Sequence, residues 1–112
     1  MDDGFYTMTF AGVAGMGLGT LLLEKGTVRG FDMYMGEYNG TYVRHPDGTV
    51  DFTATLLVTA GKEIVTGMAP PDKTVLVPLS AHVPPDLADD ATVTVKVGDR
   101  EAQVAFKYMR GV

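Results

Sequence analysis

The chain has 112 residues, of which 46% are hydrophobic and 21% charged, and its formal net charge is -5. This length and composition predict one folded domain covering residues 1–112. The acidic balance and the scattered basic residues argue against direct nucleic-acid binding, which needs a cationic patch. The sequence has no cysteine, which excludes disulfides and thiolate chemistry and favours a reducing compartment. We therefore expect a cytoplasmic protein.

The segment from Gly4 to Leu23 carries no charged residue and is long enough to resemble a membrane span or a signal peptide. A signal peptide needs a basic start, whereas here Met1 is followed by two aspartates. A spanning helix is opposed by the glycines within the segment. These are Gly12, Gly15, Gly17 and Gly19. We expect neither a signal peptide nor a contact with the membrane.

The first half of the chain predicts strands joined by tight turns. Residues Phe5–Phe10 combine aromatic, Met and Thr side chains, which suit a half-buried strand. A glycine-rich segment then leads into Thr20–Leu23, and the turn at 24–26 connects that strand to Thr27–Phe31. A further strand is predicted over Tyr38–His45.

The second half of the chain shows a clearer alternation of apolar and polar residues. After a Pro-Asp-Gly turn, Val50–Val58 places an apolar residue at every second position. The same pattern returns in Lys73–Leu79 and Thr92–Val97. The dipeptide Gly98-Asp99 can form a tight turn into a last strand over Glu101–Tyr108.

These elements predict an all-β fold with about eight antiparallel strands in an up-and-down barrel. At most one short helical turn is expected, at Pro85–Asp90. A two-sheet sandwich is the alternative, because it also buries alternate residues. Barrel closure needs sharp bends that glycine tolerates, and glycines within the predicted strands therefore favour the barrel. The glycines concerned are Gly17, Gly19, Gly30 and Gly40.

The motifs with chemical potential have simpler structural explanations. The glycine cluster at 12–19 fits neither dinucleotide-binding nor phosphate-loop spacing, and no helix follows it. Ser80 and His82 would point the same way from a strand, but no third member of a catalytic set accompanies them. His45 with Asp47 indicates a turn before it indicates a metal site. We expect no enzymatic activity, no metal and no cofactor.

The interior of an eight-stranded barrel can be filled by side chains or can hold a small ligand. If it is open, we expect a small apolar ligand, and five side chains are candidates to line the space. They are Phe31, Met33, Met35, Tyr38 and Tyr42. Simple core filling by these residues is the alternative. An enzyme would instead require buried, converging titratable groups such as His82, Glu37 or Tyr38.

Short motifs follow one another in a distinctive order through the first half of the chain. They are Gly4-Phe5-Tyr6, the glycine cluster, Gly19-Thr20-Leu21-Leu22-Leu23, Gly30-Phe31-Asp32 and Tyr38-Asn39-Gly40-Thr41-Tyr42. This order resembles the GrlR family over residues 4–59, whereas the remainder resembles it only in strand pattern. Members of that family are small lipocalin-like barrels that dimerise. Its founding member is a negative regulator of type III secretion that binds an activator protein.

The resemblance implies a non-enzymatic regulatory or binding barrel, a homodimer, and a basic regulator as protein partner. A small-molecule carrier or an enzyme on the same barrel is the alternative. The founding member binds its partner through a run of four acidic residues on a loop. At the corresponding place this chain retains only Asp47 and Asp51. A different acidic group, Asp86, Asp89 and Asp90, is the candidate partner-binding patch. A solvated turn is its simpler explanation.

Overall fold

The computed structural model describes residues 1–12, 15–58, 74–87 and 91–112. Its eight strands are β1 (Gly4–Gly12), β2 (Gly15–Glu24), β3 (Thr27–Asp32), β4 (Glu37–Arg44), β5 (Val50–Val58), β6 (Val75–Val83), β7 (Thr92–Val97) and β8 (Arg100–Arg110). The described residues contain no helix. Pro85 and Asp86 form a turn, and the last three residues of the predicted helical turn lie outside the described part of the chain.

The strands pair in chain order, each antiparallel to the next, and β8 pairs back onto β1. The all-β prediction and the choice of a closed barrel over a sandwich are therefore confirmed. The alternation predicted for β5 is confirmed as well, since Val50, Leu56 and Val58 are buried. On β8, Ala102, Val104 and Phe106 face inward and are buried. Tyr108, which has the same alternation position on β8, is nevertheless 43% exposed.

One end of the barrel is densely packed. The fully buried side chains of Leu23, Val50 and Val83 lie there, at the end of β2, the start of β5 and the end of β6. The N-terminal segment joins this end, because the Tyr42 hydroxyl donates a hydrogen bond to the Asp3 carboxylate. Arg44 forms an ion pair with the same carboxylate at 3.1 Å. We call this the closed end.

Inward-facing glycines shape the barrel away from the closed end. Gly17, Gly19 and Gly30 are buried positions of β2 and β3, and Gly40 occupies an inward position between Tyr38 and Tyr42 on β4. A Cβ atom at Gly40 would collide with the Thr53 carbonyl oxygen and lie 2.5 Å from the Cβ of Ala54. Because these positions carry no side chain, neighbouring strands approach closely and the sheet can coil sharply.

Candidate functional site: the barrel cavity

The half of the barrel opposite the closed end contains a cavity of about 90 Å³ that is partly open to solvent. Almost all of its wall is apolar. The wall includes aromatic and aliphatic side chains from several strands, among them Met8, Phe10, Leu21, Phe52, Leu56, Val97 and Phe106. A space with this lining favours an apolar occupant, because burying apolar surface is favourable.

Aromatic rings form part of the cavity wall in fixed pairs. Phe52 on β5 and Phe106 on β8 are stacked, with ring centroids 6.4 Å apart and an interplanar angle of 17°. Phe10 on β1 lies against Tyr34, with centroids 6.5 Å apart. The Tyr34 hydroxyl donates to the backbone oxygen of Met16 at 2.7 Å, which fixes its ring at the cavity edge. These ring contacts and the Tyr34 hydrogen bond hold the aromatic part of the cavity wall in place.

A carboxylate lies at the edge of this apolar space. Asp32 ends β3 and lines the cavity, and its Oδ1 atom accepts hydrogen bonds from the backbone amides of Tyr34 and Gly36, each at 2.9 Å. The Tyr38 hydroxyl donates to Oδ2 at 2.5 Å. Asp32 thereby shapes the loop between β3 and β4, in which Met35 has a φ of 66°.

Tyr38 is the phenol of this pair. Burial of the phenol raises the pKa of Tyr38 far above its usual range, and the hydrogen bond to Asp32 raises it further. The hydroxyl therefore remains protonated at any physiological pH and acts as a donor to the carboxylate.

The structure separates the five side chains predicted to line the cavity. Tyr38 does line it. Tyr42 is buried, but it belongs to the packed core and bonds to Asp3 at the closed end. The prediction that the other three face the interior is wrong. They point outward and are strongly exposed: Phe31 at 61%, Met33 at 65% and Met35 at 70%.

The reason for this error is the register of β3. Gly30 and Asp32 occupy its inward positions, so the intervening Phe31 must face outward. Met33 and Met35 lie beyond the end of the strand, where the loop no longer follows strand alternation. Three other lining aromatics, Phe10, Phe52 and Phe106, each lie at an inward position of a predicted strand, and this alternation is the sequence signal that could have identified them.

The outward-facing side chains form an apolar surface on the side of the barrel. We define the outer apolar patch as Met16, Leu18, Phe31, Met33 and Met35, which are between 52% and 70% exposed. They are neighbours, because Phe31 lies opposite Thr20 in the β2–β3 register and the Met33 amide donates to the Leu18 oxygen at 2.9 Å. Met16 and Leu18 lie on β2, which has no charged residue before Glu24.

A second polar cluster lies on the outside, near the closed end. Asp51 bridges two imidazoles, with His45 Nε2 and His82 Nδ1 each 2.6 Å from one of its carboxylate oxygens. Hydrogen bonds from His82 and then His45 hold the pKa of the Asp51 carboxyl below its ordinary value of 3.8. The partner of His82 is thus Asp51 and not Ser80, and Asp47 bonds to Thr49 instead of His45.

The remaining predicted site residues are placed only in part. Asp86 is exposed at the turn that follows β6, whereas Asp89 and Asp90 lie outside the described residues. In the described part of the chain, no group of three or more His, Asp or Glu side chains is arranged to hold a metal ion. Across the same residues, the structure contains no helix long and apolar enough to cross a membrane.

Comparisons with known proteins add no relative. No family model, curated protein or solved structure matches the chain. The resemblance to the GrlR family therefore stays a prediction.

Proposed function

We propose that this chain is a non-enzymatic binding barrel that takes up a small apolar molecule in its interior. The observation that carries the proposal is the apolar cavity between Phe10, Phe52 and Phe106. Buried apolar cavities are stabilised by apolar occupants, which gain contacts with the wall and leave water.

The titratable groups of the cavity support binding more than catalysis. Asp32 and Tyr38 are bonded to each other, and Asp32 also holds two backbone amides of the loop. Both groups therefore have a structural task. His82 and Glu37, the other candidates for an enzyme, do not line the cavity.

The size of the cavity limits the ligand. Its volume of about 90 Å³ is smaller than the ~150 Å³ apolar cavity that takes up benzene, and well below the ~300–1,000 Å³ of drug-sized sites. A short alkyl chain fits this limit. A longer chain, such as the six-carbon chain of n-hexanol, extends partly through the open end of the cavity.

Filling the cavity should abolish binding without unfolding the barrel. Ala81 lines the cavity, so Ala81→Leu places three more carbon atoms in the space that a ligand would occupy. We expect the affinity for n-hexanol, measured by calorimetric titration, to fall at least about tenfold. Stability should be unchanged or rise by about 0.5–2 kcal/mol, as is common for cavity-filling substitutions.

The matched control is Ala105→Leu. Ala105 is a half-buried alanine like Ala81, but it lies on β8 between the inward-facing Val104 and Phe106 and does not line the cavity. The Ala105→Leu variant should bind n-hexanol with the same affinity as the unmodified protein. Equal binding by both variants, or no binding of n-hexanol to the unmodified barrel, would rule out the cavity as the binding site.

The outer apolar patch supports a second proposal, that two copies of the chain associate through it. Contiguous exposed apolar surface is unusual on a monomer and marks interaction sites, which are rich in Met and aromatic residues. Two copies that each carry a formal charge of -5 repel one another. Strand β2 adds no charged side chain to this face before Glu24, so it does not add to the repulsion at the contact. A homodimer is also what the GrlR resemblance implies.

Placing a charge in the patch should therefore produce monomers. We expect the unmodified protein to sediment at twice its 12.0 kDa chain mass, and Leu18→Lys and Phe31→Lys to sediment as monomers. Thr53→Lys, on an exposed position of β5, is the control and should remain dimeric. A monomeric unmodified protein, or dimers that survive both substitutions, would refute this contact.

A regulatory role with a basic protein partner, in the cytoplasm, is the further proposal that rests on the GrlR resemblance and on the cysteine-free sequence. The loop acids do not support it, because Asp47 is bonded to Thr49 and Asp51 to two histidines. Asp86 is the member of the predicted acidic patch that the structure describes, and it is exposed. Co-purification with the protein and with an Asp86→Asn variant tests it, and an unchanged set of partners would remove Asp86 from the proposal.

A further inference from the structure

The electrostatic character of the cavity is one-sided. Among the described residues that line it, Asp32 is the one with a formal charge, and none of them is Lys, Arg or His. In the described part of the chain, the hydrogen bonds to the Asp32 side chain come from two backbone amides and a phenol, all of which are neutral donors. Within the described residues, no cation compensates this carboxylate.

Asp32 retains capacity to accept another hydrogen bond. An ionised carboxylate has about four lone-pair positions, and three are used here. Among the described residues, Oδ1 accepts two bonds and Oδ2 accepts one, from Tyr38, which leaves a position open on Oδ2. Because the side chain is half-buried and borders the apolar space, a cation placed beside it would be partly shielded from water. Such shielding strengthens a charge-assisted hydrogen bond.

We propose that the cavity selects an apolar molecule with a single ammonium group, a short alkylamine in its simplest form. This inference rests on the proposed binding function and adds the ligand's charge to it. The apolar tail occupies the space between the phenylalanine rings, and the ammonium donates to Oδ2 of Asp32. An alcohol of the same length gains only a neutral donor's bond. A carboxylate of the same length meets a like charge and is rejected.

Three ligands of equal chain length test this selectivity. At pH 7 n-hexylamine is cationic, n-hexanol neutral and n-hexanoate anionic, by analogy with lysine and glutamate side chains. In calorimetric titrations we expect n-hexylamine to bind about tenfold more tightly than n-hexanol, and n-hexanoate about tenfold more weakly. The amine advantage should shrink with added salt to a limited extent only, because the site is partly buried.

Two variants separate charge recognition from loop structure. Asp32→Asn keeps an oxygen that can accept the two backbone amides but removes the charge, so n-hexylamine should bind no more tightly to this variant than n-hexanol does. Tyr38→Phe removes the donor that occupies Oδ2, so n-hexylamine should bind as tightly as before or more tightly. A purely structural Asp32–Tyr38 latch predicts instead that both variants weaken all three ligands together.

The outcomes distinguish this inference from the proposed function. If n-hexanol binds but n-hexylamine binds no more tightly, the ligand class is wrong and the binding barrel stands. The same holds if Asp32→Asn retains the amine preference, or if both variants weaken all three ligands equally. If none of the three ligands binds to the unmodified protein, the proposed function fails and this inference fails with it.

Discussion

Replacing Gly40 with alanine is expected to destabilise the barrel by about 3 kcal/mol, because the added methyl group has no room. Its Cβ would collide with the Thr53 carbonyl oxygen and lie 2.5 Å from the Cβ of Ala54. One of these is a backbone atom of the neighbouring strand β5, so relief requires β4 and β5 to move apart. Separation of this pair weakens the ladder that links Glu37–Arg44 to Val50–Val58. Urea unfolding followed by circular dichroism measures the change.

Gly111→Ala is the control for the Gly40 substitution. Gly111 follows the last strand, and a Cβ there would be 3.3 Å from the terminal oxygen of the Tyr108 side chain, which can move aside. We expect its free energy of unfolding to stay within about 0.5 kcal/mol of the unmodified protein. If the two alanine variants unfold at the same urea concentration, Gly40 is not a point of close strand contact.

Phe106→Ala is expected to cost about 3–5 kcal/mol of stability and to enlarge the cavity. Phe106 is 7% exposed, stacks on Phe52, and belongs to the buried core cluster. Truncation removes its buried surface and leaves a void next to the existing space. A barrel that still folds should therefore accept longer alcohols, and the preference between n-hexanol and n-octanol should move toward n-octanol. Urea unfolding and calorimetric titration give the two readouts.

The same truncation at Phe31 provides the comparison. Phe31 is 61% exposed on the outer face, so Phe31→Ala should change the free energy of unfolding by about 0.5 kcal/mol or less in the monomer. It should leave alcohol preference unchanged. A greater loss of stability at Phe31 than at Phe106 would mean that β3 and β8 have been assigned the wrong faces.

Much of the fold follows from local patterns. The alternation in β5, β7 and β8 predicts both the strands and their buried faces, since side-chain period two is a direct property of extended backbone. The glycines at 17, 19, 30 and 40 correctly favour a barrel. Closure itself is a long-range property, because the pairing of β1 with β8 joins segments about a hundred residues apart, and no local signal specifies that contact.

The site is less accessible from the sequence. Phe31, Met33 and Met35 look like a lining because they are apolar and regularly spaced, but a one-residue difference in register sends a whole strand face outward. Asp32 between them gives no sign of its task, because its partners Tyr34, Gly36 and Tyr38 are bonded only once the loop has formed. Likewise, Asp51 meets His82 only through the β5–β6 register.

The methionine methyl groups give the most direct test of the central claim that the ligand enters the barrel. The chain has seven methionines, of which Met8 is 4% exposed and lines the cavity, whereas Met16, Met33 and Met35 are at least 65% exposed on the outside. In spectra of protein labelled with ¹³C at these methyl groups, titration with n-hexanol should move the Met8 resonance to saturation and leave the three outer resonances in place. Movement of the outer resonances with a stationary Met8 signal would place the ligand on the outer apolar patch and contradict the account.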